Sequence, residues 1–293
     1  MRSQAPDRRG RLAPRCGLEL SGPLELVASP DAYGYRARAR VRVSRGAVGF
    51  RRRKSHAVCG VRACPVLCAP VEAQLAALAD APPQRDGEWE LAPGSAQPLG
   101  RRGRALELDV GEDRLRVSPG VFFQGHAGLH AALRSAVCEA AGRGALALEL
   151  YSGAGFFTLA LARAFERVVA VEGDRAAVSD LRHNLKRVGA KGVEVRGERV
   201  ERALAMPALA ALRPDAVVLD PPRAGLGAGG AEALAALRPP RIVYLSCDPA
   251  TLARDLRALT SRGYGLESAR VFDLFPQTSH VEVLASLCPR PPR

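Results

Sequence analysis

The chain reads ELYSGAGFF from Glu149 to Phe157, where an apolar run gives way to an Ala- and Leu-rich stretch. This order predicts a strand that turns sharply into a helix. Gly153 and Gly155 let the backbone turn tightly and approach a ligand closely. A dinucleotide-binding loop would need a third glycine where the chain has Thr158. On its own, the loop is as compatible with a tight strand–helix turn as with a ligand site.

A second apolar run, residues 167–172, ends in Glu172. In doubly wound α/β folds, an acid at the end of the second strand hydrogen-bonds ribose hydroxyls. Three features together favour an adenosyl sulfonium cofactor over a nicotinamide dinucleotide. They are the acid before the glycines (Glu149), the missing third glycine and Glu172.

Two further polar residues lie where apolar runs end. Asp220 follows residues 215–219, and Cys247 follows residues 241–246. Ligands in open α/β sheets bind beyond the carboxyl ends of the strands, so we expect the glycine loop, Glu172, Asp220 and Cys247 to meet in one crevice. Taken singly, a cysteine is more often a small buried residue than a nucleophile, and Asp220 could simply cap a helix.

From residue 126 onward, apolar runs alternate with helical stretches, which predicts a mostly parallel sheet covered on both faces. The seven runs are residues 145–150, 167–172, 193–196, 215–219, 241–246, 264–272 and 281–287. The last two have no clear helix between them, so we expect the last strand to be antiparallel. The predicted fold class is therefore α/β, with a doubly wound, Rossmann-like domain at residues 126–289.

The part of the chain before residue 126 has a different pattern. Residues 1–30 predict a basic segment that is poorly ordered or partly packed, and residues 31–125 predict a small α/β unit. Within that unit, the sequence predicts a helix at 70–79, a loop at 80–104 and a closing hairpin of Leu106–Val110 with Leu115–Val117.

Basic residues are concentrated in residues 36–54, which hold nine of them and no acid. From Tyr35 to Val43, arginines alternate with apolar residues, which predicts a half-buried strand with a cationic outer face. Ser44-Arg45-Gly46 predicts a turn into a second strand around Val48–Phe50. With a net charge of +13, nucleic acid suits this hairpin better than the alternative, a solvated face with no partner.

Composition excludes several classes of protein. The chain of 293 residues is 47% hydrophobic, which is enough for a buried core. It has no run of about 18 apolar residues, so we expect no membrane span, and its basic start is not followed by the apolar stretch of a secretory signal. Its seven cysteines are an odd number and unevenly spread, which argues against a secreted disulfide framework. We expect a reduced, cytoplasmic, monomeric protein.

Longer motifs lie between about residues 31 and 287: YGYRARARV, GFRRRKSHAV with RACPVL, SPGVFFQGH, LELYSGAGFFTLALA, VEGD, LDPPRAGL, RIVYLSCDPATLARDL and FPQTSHVE. They resemble those of the RNA 5-methyluridine methyltransferases that modify bacterial 23S rRNA and tRNA. The resemblance implies a class I methyltransferase domain, S-adenosylmethionine as cofactor, and an RNA substrate that is rRNA rather than tRNA. It also implies that Cys247 is the nucleophile and Glu282 the base. The residues implied to contact the cofactor are Gln124, Tyr151, Glu172 and Asp220.

This chemistry requires both a nucleophile and a base. Carbon 5 of uracil attacks a methyl sulfonium too weakly by itself, and a thiolate that adds to carbon 6 turns carbon 5 into a carbanion equivalent. A base must then remove the carbon-5 proton so that the thiolate can leave. Glu282 opens the last predicted strand, and His280, on the same face, is the rival base. The target base must be splayed out of any RNA stack.

The chain departs from the family in two ways. Members commonly begin with a small β-barrel RNA-binding domain, for which we expect no room before residue 31; a truncated start is the alternative to a lost barrel. Many bind an iron–sulfur cluster through three clustered cysteines and a fourth in the CPVL segment. Only Cys64 matches that fourth ligand, while Cys16, Cys59 and Cys68 lie at unfamiliar positions. Because a cluster needs four ligands, we expect none.

Two other functions stay open. One is methylation of another target, such as an exocyclic amine or a protein side chain, with Cys247 incidental; it leaves SCDP and FPQTSHVE unexplained. The other is a non-catalytic RNA-binding or assembly factor with a relic cofactor pocket, against which the intact Cys247 and Glu282 argue. Binding of S-adenosylmethionine would separate an enzyme from such a scaffold.

Overall fold

The structure, a computed structural model, describes residues 24–52, 55–99 and 103–290. Within these ranges the strands are β1 (Glu25–Val27), β2 (Ala39–Ser44), β3 (Ala47–Arg51), β4 (Val58–Gly60), β5 (Gly87–Ala92), β6 (Ser95–Pro98), β7 (Leu106–Val110), β8 (Asp113–Val117), β9 (Gly144–Leu150), β10 (Phe165–Val171), β11 (Val193–Arg196), β12 (Ala216–Leu219), β13 (Ile242–Ser246), β14 (Tyr264–Phe272) and β15 (Glu282–Pro289). The α-helices in the same ranges are α1 (Ala69–Asp80), α2 (His130–Ala141), α3 (Thr158–Ala164), α4 (Arg175–Arg187), α5 (Val200–Leu204), α6 (Pro207–Ala210), α7 (Gly230–Ala236) and α8 (Pro249–Thr260). None of these helices is long and apolar enough to cross a membrane.

Eight strands form one large sheet in the order β1-β14-β15-β13-β12-β9-β10-β11. Strands β9 to β13 are parallel, and β15 runs antiparallel to both of its neighbours. The predicted doubly wound α/β class with an antiparallel last strand is confirmed, and all seven predicted strands form. The predicted number of strands is one too low, because β1 pairs in parallel with Arg270–Phe272 of β14. β1 has only three residues, too few to show an alternation of apolar and polar positions, so the sequence pattern does not predict it.

Helices cover both faces of the large sheet. Buried side chains of α2, α3 and α4 pack on one face, and those of α5, α6, α7 and α8 pack on the other. The strands between these layers are apolar on both faces, which is the pattern of a parallel sheet buried on both sides. This arrangement leaves the carboxyl ends of the parallel strands as the edge at which a ligand can bind.

The small unit is an antiparallel sheet in the order β4-β3-β2-β5-β6 with α1 packed on one face. The predicted first strand starts later than expected, at Ala39, and its turn into β3 has positive φ at Arg45 (49°) and Gly46 (77°). The prediction of a loop at residues 80–104 is wrong, because β5 pairs with the whole of Ala39–Val43. Gly87 and Pro98 are terminal residues of β5 and β6, and Pro93 and Gly94 lie between the two strands, so these residues do not interrupt the pairing.

The predicted closing hairpin forms as β7 and β8, but it packs on the large unit. Its apolar side chains belong to the same core as α2, α3 and the large sheet. Asp113 is almost fully buried between Arg134 of α2 and Arg163 of α3, each with an N–O distance of 2.5 Å. By its packing, therefore, the hairpin is part of the large unit.

Candidate active site

Three strands of the large sheet end side by side. Leu150, the last residue of β9, is paired with the last residue of β10, Val171, on one side and with the last residue of β12, Leu219, on the other. The residues that follow them are therefore level at one edge: Tyr151, Glu172 and Asp220. These three predicted cofactor residues come from distant parts of the chain, and the parallel strands bring them together.

Cys247 and Glu282 lie opposite each other at the same edge. Ser246, the last residue of β13, pairs with Val283 of β15 in antiparallel register. One step further along this register, Cys247 faces Glu282. Cys247 is half-buried, whereas Glu282 is only 3% exposed. The thiol and the carboxyl that the sequence suggests for catalysis are therefore neighbours.

The glycine loop depends on its glycines. Gly153 and Gly155 have positive φ, 56° and 97°. A Cβ atom at position 155 would lie 2.7 Å from Cδ1 of Leu181, far inside van der Waals contact. The backbone N–H of Gly153 donates to Oε2 of Glu172 at 2.8 Å, which ties the loop to the end of β10. Tyr151 has φ 62° although it is not glycine, and such strained residues cluster at functional sites.

Gln124 reaches this edge from outside the sheet. Its side-chain amide donates to Oδ2 of Asp220 at 3.2 Å, and its backbone carbonyl accepts from Nε2 of His130 at 2.8 Å. Burial raises the pKa of Asp220 to about 7, and the hydrogen bond from Gln124 opposes that rise. Asp220 can therefore change its charge near neutral pH.

Two buried polar atoms at this edge, the hydroxyl of Tyr151 and Oε1 of Gln124, have no hydrogen-bond partner in the part of the chain that the structure describes. A buried polar atom left unsatisfied costs about 1–3 kcal/mol, so two of them at one edge indicate a place for a polar ligand. The acceptors in this pair suit a cationic ligand that also carries amino and hydroxyl groups.

Glu149 adds a third carboxyl group, after those of Glu172 and Asp220, to the same edge, called here the acidic edge. Burial raises the pKa of Glu149 to about 8, a hydrogen bond from Thr158 opposes the rise, and the negative charges of Glu172 and Asp220 add to it. A cation bound there would stabilise the ionised carboxylates. The sequence marked Glu149 only as the acid before the glycines, and its buried position beside two other acids is what identifies it as a site residue.

Burial and neighbouring charges shift the pKa values of both the thiol and the carboxyl. Burial raises the pKa of the Cys247 thiol, and the charges of Glu282 and Asp220 raise it further. Burial and the charge of Asp220 raise the pKa of Glu282 well above its usual value. The guanidinium of Arg223 acts against both rises. Sequence reasoning missed Arg223, although it belongs to the DPPR motif that contains Asp220.

His280, the rival base, is less well placed. It is exposed, and its ring packs edge-on against Phe275 with the centroids 6.4 Å apart. Partial burial and the nearby Arg223 and Arg36 lower its pKa. Glu282 is buried at the start of β15, beside the end of β13 that leads to Cys247, and burial raises its pKa, which strengthens its carboxylate as a proton acceptor.

The apolar residues of β2 are buried and Arg40 on its other face is exposed, as the alternation predicts, but some of the arginines there and just before β2 are held by acceptors within the protein. Arg38 pairs with the buried Glu90 at 2.7 Å and donates to the carbonyl of Val121 at 2.8 Å. Arg40 donates to the carbonyl of Gly120 at 2.6 Å. These hydrogen bonds hold the arginine-bearing face of the strand against the segment that leads to Gln124. No local sequence pattern predicts this contact.

A groove of about 680 Å³ lies between the small unit and the large unit. Its lining combines arginines with aromatic rings: Arg36, Arg38, Arg40, Phe50, Phe122, Phe123 and Phe275. Phe122 is 68% exposed, and the guanidinium carbon of Arg36 lies 6.0 Å from the ring centroid of Phe275. Of the predicted RNA contact at residues 36–54, Arg53 and Lys54 lie outside the described residues.

Three of the cysteines considered for a metal cluster belong to the small unit. Cys59 is exposed, and Cys64 and Cys68 are half-buried. Within residues 24–52, 55–99 and 103–290, no group of three or more His, Cys, Asp or Glu side chains is placed to hold a metal ion. Cys16 lies outside these ranges, so the expected absence of a cluster stays a prediction.

Known proteins resemble the chain in sequence. A family model described as tRNA (uracil-5-)-methyltransferase matches residues 105–288. An uncharacterised RNA methyltransferase of Streptomyces coelicolor is 41% identical over 193 residues, which cover 64% of this chain and 41% of that protein. The 23S rRNA (uracil(1939)-C(5))-methyltransferase of Edwardsiella ictaluri is 33% identical over 312 residues, which cover 88% of this chain and 70% of that protein. The chain spans less than half the length of several curated relatives that it matches.

A solved structure shares the fold. The crystal structure of the Pyrococcus abyssi tRNA (uracil-54, C5)-methyltransferase in complex with S-adenosyl-L-homocysteine matches with a TM-score of 0.76. The match covers 95% of this chain and 81% of that chain, at 23% sequence identity. At this identity the likeness shows a common fold.

Proposed function

The chain belongs to the tRNA (uracil-5-)-methyltransferase family, and from this we propose that it transfers a methyl group from S-adenosylmethionine to carbon 5 of a uridine in RNA. One observation carries the proposal: the register of β13 and β15 sets Cys247 opposite the buried Glu282. Methylation at carbon 5 needs such a pair, a thiolate to activate the base and an acceptor for the proton.

The acidic edge fits S-adenosylmethionine, which carries sulfonium and ammonium charges and ribose hydroxyls. Glu172, at the end of β10, is placed to accept hydrogen bonds from the ribose. The other residues proposed to hold the cofactor are Gln124, Tyr151, Gly153, Gly155 and Asp220. Two observations support them. The amide oxygen of Gln124 and the hydroxyl of Tyr151 have no hydrogen-bond partner within the described residues, and the carboxyl of Asp220 is buried. When bound, the cofactor supplies an electrophilic methyl group.

Cys247 is the proposed nucleophile. Its pKa is raised in the structure, and Arg223 opposes that rise, so a bound cation at the acidic edge would favour the thiolate further. The thiolate adds to carbon 6 of the uracil, and the electron pair of the ring double bond makes carbon 5 nucleophilic. Carbon 5 can then accept the methyl group.

Glu282 is the proposed base for the second half of the reaction. Its carboxylate takes the proton from carbon 5, and the electrons of that C–H bond restore the double bond between carbons 5 and 6. As that double bond forms, the bond between carbon 6 and Cys247 breaks, and the thiolate leaves with the electron pair of the C–S bond. Burial makes the ionised form of Glu282 unfavourable and so raises its pKa. The carboxylate of Glu282 therefore has a strong tendency to accept this proton.

The groove between the two units is the proposed RNA contact. Arginines neutralise phosphates, and aromatic rings stack on unpaired bases, so the lining of the groove suits single-stranded RNA. Phe122, which lines the groove, lies only two residues before Gln124. The groove therefore opens beside the crevice. The proposed contact therefore extends from the hairpin at residues 36–54 to the segment 118–125.

We propose 23S rRNA ahead of tRNA as the substrate, because the Edwardsiella ictaluri relative, named for 23S rRNA, matches 88% of the chain. The small unit, predicted at residues 31–125 but without the β7–β8 hairpin that packs on the large unit, would bind the RNA, and the unit predicted at residues 126–289 would carry out methyl transfer. The protein is proposed to act as a cytoplasmic monomer without an iron–sulfur cluster.

Labelled S-adenosylmethionine and unmodified rRNA and tRNA transcripts test the proposal, with nucleoside mass spectrometry as the readout. The expected product is 5-methyluridine. Cys247→Ala should abolish it and leave cofactor binding intact, whereas Cys288→Ala, at the far end of β15, should leave both unchanged. Full methylation by Cys247→Ala would favour another target, and a wild-type protein that binds RNA but no cofactor would be a non-catalytic binding factor.

A further inference from the structure

Glu282 follows a segment that has no regular secondary structure, residues 273–281. The segment is folded on itself, since the backbone N–H and the hydroxyl of Thr278 both donate to the carbonyl of Phe275, at 3.2 and 2.7 Å. Gln277 has φ 64°, a left-handed conformation that residues other than glycine adopt infrequently. Such a loop needs contacts from outside to stay in one conformation.

One contact from outside the segment comes from the small unit. The hydroxyl of Tyr35 donates to the backbone carbonyl of Pro276 at 2.9 Å, across 241 residues of sequence. Tyr35 is buried, and its ring stacks on that of His126, with the centroids 4.9 Å apart and the planes at 12°. His126 is held in turn by a hydrogen bond of 2.7 Å between its Nε2 and Oγ of Ser29. Tyr35 therefore has a fixed position from which to hold the loop.

We propose that Tyr35 is a positioning residue for Glu282, and that its hydrogen bond to Pro276 keeps the loop in the conformation that aims Glu282 at the carbon-5 proton. The proposal rests on the proposed function. A proton acceptor works only within hydrogen-bond reach of the proton it removes, and a displacement of about 1 Å can slow a reaction on the order of 100-fold. Cys247 follows β13 and does not belong to this loop, so nucleophilic addition does not depend on Tyr35.

Tyr35→Phe is the test, because it removes the hydroxyl and keeps the ring that stacks on His126. The matched control is Tyr264→Phe. Tyr264 is also buried and also donates to a proline carbonyl at 2.9 Å, that of Pro239, which follows α7 and lies outside the site described above. The two variants lose the same kind of hydrogen bond, so a general loss of stability should affect both.

Tyr35→Phe should lower turnover of RNA about 10- to 100-fold, with unchanged affinities for RNA and cofactor. Protein–RNA adduct that survives denaturation should accumulate during turnover, because proton removal has become slow. Covalent trapping by RNA that contains 5-fluorouridine, which needs addition and methyl transfer but no proton removal, should keep its wild-type rate. Tyr264→Phe should match wild type in all three measurements.

Two results would overturn the proposal: wild-type turnover by Tyr35→Phe, or a rate of trapping by the fluorinated RNA that falls in parallel with turnover. The second result would place Tyr35 in an earlier step or in the stability of the whole site. Failure of the proposed function looks different, since wild-type protein would then neither methylate RNA nor be trapped by the fluorinated RNA.

Discussion

The side-chain amide of Gln124 donates a hydrogen bond of 3.2 Å to the carboxylate of Asp220, across 96 residues of sequence. It connects the segment that lines the groove with the acidic edge of the large sheet. Because a donated hydrogen bond favours the ionised carboxylate, Gln124 offsets part of the burial that raises the pKa of Asp220 to about 7. The charge of the proposed cofactor site therefore depends on a residue from outside the sheet.

Gln124→Leu should shift the pH dependence of cofactor binding to higher pH. Without the hydrogen bond, the pKa of Asp220 rises above about 7, so less of the residue is ionised at neutral pH and a cation binds less tightly. Calorimetric titration from pH 6 to 9 should show a midpoint higher by about one unit. Gln97→Leu, which changes a glutamine that bonds Arg104 in the small unit, should have no effect. A loss of affinity that is equal at every pH would contradict this explanation.

Glu282→Gln should separate the two halves of the reaction. The variant keeps Cys247, so the thiolate can add to the uracil and carbon 5 can accept the methyl group, but the variant cannot remove the carbon-5 proton. An adduct between protein and methylated RNA should therefore build up and appear as a slower band on a denaturing gel with labelled RNA.

His280→Ala is the matched control for the base, since His280 is exposed and has a lowered pKa. It should turn over without accumulating adduct. Normal turnover by Glu282→Gln, together with adduct in His280→Ala, would reverse the two roles.

Glu149→Gln should stabilise the cofactor-free protein, and more so at higher pH. The pKa of Glu149 is about 8 in the folded protein and near 4.3 when unfolded. Below pH 4 the residue is protonated in both states and has no effect. Between these values only the unfolded chain is ionised, so the free energy of unfolding falls as pH rises, by at most about 1.4 kcal/mol per unit.

Urea unfolding at pH 5 and pH 8 measures this effect. The stability difference between Glu149→Gln and wild type should widen by about 1 kcal/mol or more over that range. Glu166→Gln, which alters an exposed acid of β10, should show no such widening. A difference that is constant with pH would mean that Glu149 ionises normally in the folded protein.

Phe122→Ala should weaken RNA binding without changing cofactor affinity. Stacking of one base on an aromatic ring contributes about 1–3 kcal/mol, so the dissociation constant for substrate RNA should rise roughly 5- to 100-fold. Phe122→Tyr keeps the ring and should bind like wild type, and Val188→Ala, at another exposed apolar side chain, should have no effect. Unchanged affinity in Phe122→Ala would place the RNA outside the groove.

Protein purified without oxygen should contain no stoichiometric iron or sulfide. The reason is that only Cys64 matches a cluster ligand of the family, while Cys59 and Cys68 lie at unfamiliar positions. Elemental analysis and visible absorption before and after dithionite measure this. Near-stoichiometric iron with absorption that dithionite bleaches would show that these cysteines form an unrecognised site with Cys16.

The sequence by itself determined seven of the eight described strands of the large sheet and the edge at which the proposed site lies. Continuous apolar runs between helices are local patterns, and the rule that ligands bind at the carboxyl ends of parallel strands then places Glu172, Asp220 and Cys247 together. The resemblance of the motifs to a known family also implied Gln124 and Glu282 as site residues, although the sequence does not show which groups they contact.

Only the tertiary structure decided which distant groups meet. It set Cys247 opposite Glu282 through strand register, joined Gln124 to Asp220, buried Glu90 against Arg38, and let β5 pair with β2 in a stretch that reads as a loop. Local periodicity reflects which side of an element is buried, and a short window of sequence contains that information. The partner of a buried polar group, and the pKa that follows from it, depends on packing between segments far apart in the chain, and no local window contains that.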